Sequence, residues 1–315
     1  MAAGTTIVFT VPSLGSVRHD LATIDPWWVV AAVGLEIASC VSFLPLVGAF
    51  FDEIPGPLAR RVGWIEEGSG ALLPGGGVTS YALGGVFLHR AGMRTRRIVT
   101  RSGGVFWFTA AVNALVLLLG ALLLLLRLAP GPTDFLRAGL PLVIVAPLTL
   151  AVAAVPRLLP HGNEQTRAHP WLVGLVDGVS DAWRAARHPS WRLLGAIGYL
   201  CFDMAVLFCL FRGLGYHVSC GVLIVAYLIG YLAAIIPVPG GIGVLEGGLA
   251  GALVLYGAPA ATSAAAVLVY HAIAFWVPSL GGLGAWADLT LRHFAPKTPP
   301  FPEPPKDPPA MSGVR

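Results

Sequence analysis

Charge is what this sequence has least of. Asp, Glu, Lys and Arg together make up 11% of its 315 residues, against about 25% in a soluble domain. Lysine is nearly missing, since Lys297 and Lys306 are the only two, so the net charge of +4 rests on arginine. That charge needs no nucleic acid as its explanation, because the cytoplasmic loops of membrane proteins collect basic residues. Cysteine is scarce as well. Cys40, Cys201, Cys209 and Cys220 form no C-x-x-C pair, which leaves no metal or redox site to argue and makes them packing residues. Residues 1–24 lack the charged, apolar and small-residue succession of a cleavable signal. Catalytic patterns are missing too. There is no D-x-D pair for a sugar nucleotide, no metal-spaced His, Asp and Glu set, and no Walker loop, since Pro239-Gly240-Gly241 runs on to Ile242 and Gly243 without Lys-Ser/Thr. No cofactor is expected, and nothing argues for an enzyme.

What the sequence has in abundance is apolar length. It is 56% hydrophobic, with a mean hydropathy of +0.76, which reads as an all-α polytopic membrane protein. After a lead over 1–26, spans are expected at 27–51, 103–126, 139–155, 193–211 and 264–289, with Trp27 and Trp28 as an interfacial anchor. Two more apolar regions are broken. In 64–89 the break is Leu72-Leu73-Pro74-Gly75-Gly76-Gly77; in 219–256 it is Pro237-Val238-Pro239-Gly240-Gly241-Ile242-Gly243. Proline lacks the helical donor and glycine loosens the backbone, so neither stretch continues a helix. At membrane depth, freed backbone groups must be met by protein or by a water-filled cavity. Residues 171–186 read as an amphipathic helix in the headgroup plane, with Leu172, Leu175, Val176, Val179, Trp183 and Ala186 on one face and Asp177, Asp181, Arg184 and Arg187 on others. Proline dominates the tail over 293–315, which reads as extended or disordered.

The two breaks align. Pro74-Gly75-Gly76 matches Pro239-Gly240-Gly241 at an offset of 165, and Gly92 matches Gly257. The transmembrane domain, 27–292, then divides into a first repeat at 27–126 and a second at 191–290. Arg94, Arg96, Arg97 and Arg101 are expected to hold their loop on the cytoplasmic side, with contact to anionic headgroups as their second role. The odd span between the halves inverts the second repeat. Its broken hairpin would enter from the opposite face, as in inverted-repeat transporters, and the C-terminus would be cytoplasmic.

Inside the spans stand Glu36, Asp203, Glu246 and His271. Glu246 opens the helix that restarts after the second break. It reads either as a carboxylate settled by free N–H groups or as an ionisable group on a substrate path. Asp203, Glu246 and His271 are expected to line one polar cleft beside Pro239, Gly240, Gly241 and Gly243, with Pro74, Gly75 and Gly76 as the first-half counterpart. For Glu36 and Asp203 the alternative is a helix–helix hydrogen bond.

The stretch from Pro237 to Glu246 resembles the P-x-P-G-G-x-G-x-x-E pattern of the lysylphosphatidylglycerol synthase transmembrane domain and flippase-like family. Residues 71–77, 88–92 and 270–278 are similar to it as well. The resemblance covers about 27–290 and implies a lipid-handling membrane protein of the cell membrane. Members commonly have an arginine after the tyrosine of the last span where this chain has His271, which would hold an anion only when protonated. Many members also have an N-terminal span that is not read in 1–26. The resemblance implies translocation of a phospholipid or polyprenyl-linked lipid, with membrane lipids as partners and a second copy or a lipid-modifying enzyme as further ones. A glycosyltransferase acting on a polyprenyl-phosphate lipid and a non-transporting partner protein are the alternatives.

Overall fold

A computed structural model describes residues 15–159 and 170–293 of the chain. Residues 1–14 of the lead, part of the polar section before the amphipathic helix, and nearly all of the proline-rich tail lie outside the described residues. Among those described, all regular structure is helical. Eleven α-helices follow in order: α1 (Gly15–Thr23), α2 (Pro26–Phe50), α3 (Gly56–Leu72), α4 (Gly76–Arg90), α5 (Thr95–Leu125), α6 (Leu140–Leu158), α7 (Pro170–Arg187), α8 (Leu194–Gly213), α9 (Cys220–Tyr231), α10 (Val244–Leu255) and α11 (Ala260–Asp288). Five helical stretches are long and apolar enough to cross a membrane: Pro26–Phe50, Thr95–Leu125, Phe135–Leu158, Trp191–Gly213 and Ala260–Leu291. Leu115, Leu119 and Leu122 of α5, with Val143, Ile144 and Leu148 of α6, point outward. In water that stripe would be a liability; against hydrocarbon it is the expected surface.

Local chemistry sets the helix ends. Asp25 accepts a hydrogen bond from the Trp27 N–H at 3.0 Å and Pro26 stands at the first helical position, which starts α2. Ser219 does the same for α9 through the Val222 N–H. The first break is short. Leu73 is extended ahead of Pro74, as a residue before proline prefers. Gly75 then takes φ 88, a left-handed value that suits glycine, and α4 begins. The second break is longer: a 3₁₀ turn over Leu232–Ile235, extended residues, then Pro239–Gly241 with Gly240 at φ 65.

Contacts between helices fix their directions. α2 lies along α8, where Asp25 N–H donates to Gly213 O at 3.0 Å and Ser39 Oγ donates to Tyr199 O at 2.8 Å. Early α2 thus meets late α8, and the pair is antiparallel. α3 crosses α11 at Gly68 and Gly282, where a Cβ on Gly68 would stand 2.9 Å from Gly282 Cα. Small residues let the backbones touch there. With Arg61 Nε 2.5 Å from Asp288 Oδ2, this pair is antiparallel too. α9 packs antiparallel on α5, Gly120 facing Ile224 and Gly221 facing Leu124. Within each broken region the two legs lie side by side, α3 on α4 and α9 on α10. Both are therefore helical hairpins. The mouth of the first lies at the end where α2 finishes and α5 begins, and the mouth of the second at the opposite end, where α8 finishes and α11 begins.

Two expectations need correction. The span expected from residue 103 begins at Thr95, so Arg96, Arg97 and Arg101 belong to the first turns of α5 rather than to a loop. The amphipathic helix is present as α7, but its inward face carries acids. Asp177 and Asp181 are buried against α5 together with Val176 and Val179. Thr100 and Arg101 offer them partners across the interface, which headgroup water would otherwise supply.

Candidate functional site

The restart of α10 builds the site. Gly243, at φ 86, leaves its N–H free as the helix begins, and Glu246 Oε2 accepts it at 2.6 Å. The other carboxylate oxygen meets the last span: Glu246 Oε1 is 2.7 Å from His271 Nδ1. The far ring nitrogen, Nε2, is 2.7 Å from the Gly240 carbonyl in the middle of the break. Both nitrogens of His271 therefore face acceptors. A neutral imidazole has only one N–H, so the ring is satisfied either as an imidazolium beside a carboxylate or as a neutral ring accepting from a carboxylic acid. Either way the pair shares one proton, and α11 clamps the break through a side chain. The capping reading of Glu246 holds here, and the same carboxylate also meets His271 of the last span. Pro239–Gly241 also rests against α3, which brings the second break onto the first hairpin.

One residue earlier on α11, about 100° around the helix, Tyr270 serves a different group. Tyr270 OH donates to Asp203 Oδ1 at 2.8 Å, Tyr227 OH donates to Asp203 Oδ2, and the two hydroxyls are 3.2 Å apart. Asp203 and Tyr270 are buried. The single cleft expected for Asp203, Glu246 and His271 is thus two hydrogen-bonded groups on neighbouring faces of α11. Asp203 makes the helix–helix hydrogen bonds that were its alternative reading. Pro74, Gly75 and Gly76 form the tip of the first hairpin, where Pro74 O accepts from Thr79 Oγ1 at 2.6 Å and Leu72 to Gly75 are exposed.

The arginines at the start of α5 are tied to protein. Arg101 lies 3.0 Å from Asp181 and 3.4 Å from both Asp52 and Glu53. Arg97 pairs with Glu53, and Arg96 is 3.7 Å from Asp177. Arg94 sits at the cap position of the helix. Burial raises the Asp181 carboxyl above its usual range, with Arg101 and Arg184 pulling the other way. This network joins α5 to α7 and to the loop after α2. Of the cysteines, Cys40 and Cys209 are buried, while Cys201 and Cys220 are exposed.

Sequence reasoning missed Glu66 and Glu67 on α3 and the Asp203 partner Tyr227. Glu66 is 2% exposed and both its carboxylate oxygens lack a hydrogen-bond partner. Both lie within the broken apolar region at 64–89, of which only the Pro-Gly-Gly break was singled out. Two adjacent acids a few residues before a Pro-Gly-Gly break would have been the signal.

Among curated proteins, no sequence matches the chain. A family model does, over residues 2–282, and it is the one described as the lysylphosphatidylglycerol synthase TM region. With the two broken hairpins, the Pro-Gly-Gly breaks and the clamped Glu246 in place, the chain belongs to the lysylphosphatidylglycerol synthase TM region family.

Proposed function

We propose that this protein moves a lipid across the cell membrane, its headgroup passing the polar groups where the two hairpins meet while its chains stay in hydrocarbon. The observation that carries this reading is the pair of broken hairpins with mouths at opposite ends of the bundle, the second break lying against α3 and held by His271 and Glu246. Interrupted helices at mid-membrane are where transporters place substrate groups. The helix bounds of the two halves recur near the same offset of 165 residues. Three pairs of left-handed glycines share it: Gly75 with Gly240, Gly76 with Gly241 and Gly92 with Gly257. On this reading the halves form an inverted repeat and the two hairpins face opposite leaflets. The arginine-rich end, with the mouth of the first hairpin and the end of α11, is cytoplasmic. A cleft at that end is lined, among the described residues, by Arg157, Arg184, Arg187, His188 and Trp183, with Arg184 paired to Asp181, and the Arg157 and Arg187 guanidinium groups lie 5.8 and 5.6 Å from the Trp183 ring. An anionic headgroup suits that lining.

The test is translocation in proteoliposomes, using headgroup-labelled anionic, zwitterionic and aminoacylated lipids with an impermeant quencher. Wild type is expected to speed exchange of one class, and Glu246→Ala and His271→Ala to lose that acceleration while remaining folded. Exchange no faster than in empty liposomes for every lipid would reject the reading. Sugar transfer to a polyprenyl phosphate would then be assayed.

A further inference from the structure

Four carboxylates gather inside the bundle with no cation among them. α2 supplies Glu36, α3 supplies Glu66 and Glu67, and α8 supplies Asp203. Glu36, Glu67 and Asp203 lie close enough for their charges to act on one another, and Glu67 also feels Glu66. Asp203 is satisfied by its two tyrosines. The glutamates of α2 and α3 differ: both oxygens of Glu66 and Oε2 of Glu36 are buried with no hydrogen-bond partner, and Glu36 Oε1 has only the Cys40 thiol at 3.9 Å.

The titratable groups around them carry no positive charge. Cys40 comes from α2, Tyr81 from α4, Tyr199 from α8, Tyr227 and Tyr231 from α9, and Tyr270 from α11. His271, beside Tyr270, turns instead to Glu246 and Gly240.

Such a group cannot stay fully ionised. An unpaired buried carboxylate costs several kcal/mol, and here each charge would also repel its neighbours. Among the described residues, no three His, Cys, Asp or Glu side chains are arranged to hold a metal ion. A proton needs no coordination shell and neutralises a carboxylate at a single oxygen. The protein itself does not seal the cluster, because Glu67 is only partly buried and Tyr231, which senses Glu67, is 40% exposed. The cluster therefore has an open edge between the first hairpin and the end of α9.

We propose that Glu36, Glu66, Glu67 and Asp203 form an exchangeable proton-binding site in the membrane domain, loaded and emptied through Glu67. Hydronium at the open edge gives its proton to a carboxylate oxygen and leaves as water, and the reverse step empties the site. Full loading lets α3 pack against α2, which lies along α8; emptying places like charges across the α2–α3 contact. The site goes beyond lipid translocation and does not depend on it.

The test uses the full chain in lipid nanodiscs. A hydrophobic carbodiimide, which reacts with protonated carboxyl groups in apolar surroundings, is applied over a pH series and its adducts are located by peptide mass spectrometry. Adducts are expected on this cluster at acidic pH, Glu67 foremost, falling about tenfold per pH unit once the site empties. In a second measurement, a dye in weakly buffered solution reads proton uptake after an acid step. Wild type is expected to take up more protons than the Glu66→Gln/Glu67→Gln variant. Absence of adducts on the cluster at every pH, labelling that does not change with pH, or equal uptake by the two proteins would overturn the site. The wild-type labelling needs no variant to fold. Lipid translocation without pH-dependent labelling rejects this site and leaves the lipid reading standing; pH-dependent labelling in a protein that moves no lipid does the opposite.

Discussion

The two hairpins of this protein share a plan and differ in how their polar groups are settled. In the second, the break is long, and two of its backbone groups find side-chain partners, one from the last span and one from its own restart. His271 reaches Gly240 O and Glu246, and Glu246 reaches back to the Gly243 N–H. Its legs touch backbone to backbone, since a Cβ on Gly230 would stand 2.6 Å from Leu249 Cα. In the first hairpin the break is short, its tip is exposed, and the acids on its entering leg have no hydrogen-bond partner in Glu66. Its legs leave room at Gly70, where a Cβ would fall 3.5 Å from Ser80 Cβ, but close tightly at Gly84, where a Cβ would run into Glu66 Oε1. One break is clamped by a side chain from the last span, and the other hairpin closes around Glu66, an acid with no hydrogen-bond partner.

The comparison breaks most readily at the glycines. Gly230→Ala sets a methyl against backbone and is expected to cost about 3 kcal/mol by overpacking. Gly70→Ala meets ordinary van der Waals contact and gains helix propensity, so it should be neutral or stabilising by about 0.5 kcal/mol. Thermal unfolding of both variants in nanodiscs measures the gap, and equal losses would remove the contrast.

A smaller effect is expected at the clamp. His271→Ala leaves Gly240 O and Glu246 without their partner, a loss of about 2 kcal/mol, accompanied by faster proteolysis within 236–243. Phe106 stands at the matching position of α5 and is exposed, so Phe106→Ala should cost less than about 1 kcal/mol. Removing one hydroxyl from the Asp203 group is milder still: Tyr270→Phe should lower stability by about 1 kcal/mol, read in the same unfolding experiment. The smallest effect sharpens the comparison by its sign. Glu246→Gln weakens the link to His271 and should destabilise by about 1 kcal/mol, whereas Glu66→Gln removes an ionisable group that has no partner and should leave stability unchanged or raise it.

Much of this was legible in the sequence because helix breakers act locally. Pro74-Gly75 and Pro239-Gly240 announce their breaks whatever surrounds them, and apolar length alone marks the five spans. Glu246 was legible for the same reason, as a carboxylate three residues after a glycine that starts a helix. The partners of these groups were not, because pairing is decided by packing between distant segments. Nothing local says that Tyr270 faces Asp203 while His271 faces Glu246, though the two are adjacent. The polarity of α7 misled for a similar cause: Asp177 and Asp181 look solvated until α5 brings Arg101 and Thr100 to them. Glu66 and Glu67 were overlooked because the region at 64–89 drew notice only at its break, and nothing local says that Glu66 is buried without a partner.

The antiparallel contact between α2 and α8 also bears on how the chain is made. Ser39 and its acceptor Tyr199 are 160 residues apart. At a synthesis rate of about 5–20 residues per second, α2 enters the bilayer roughly 10–30 s before α8 exists. Throughout that interval Glu36 is in a helix whose principal neighbour has not been translated. Nascent α2 must therefore be sheltered at the insertion machinery or held near the interface. A substitution such as Glu36→Leu leaves that interval unchanged but should speed the entry of α2 into the bilayer, so the rate of membrane integration, more than final stability, is where Glu36 leaves its mark.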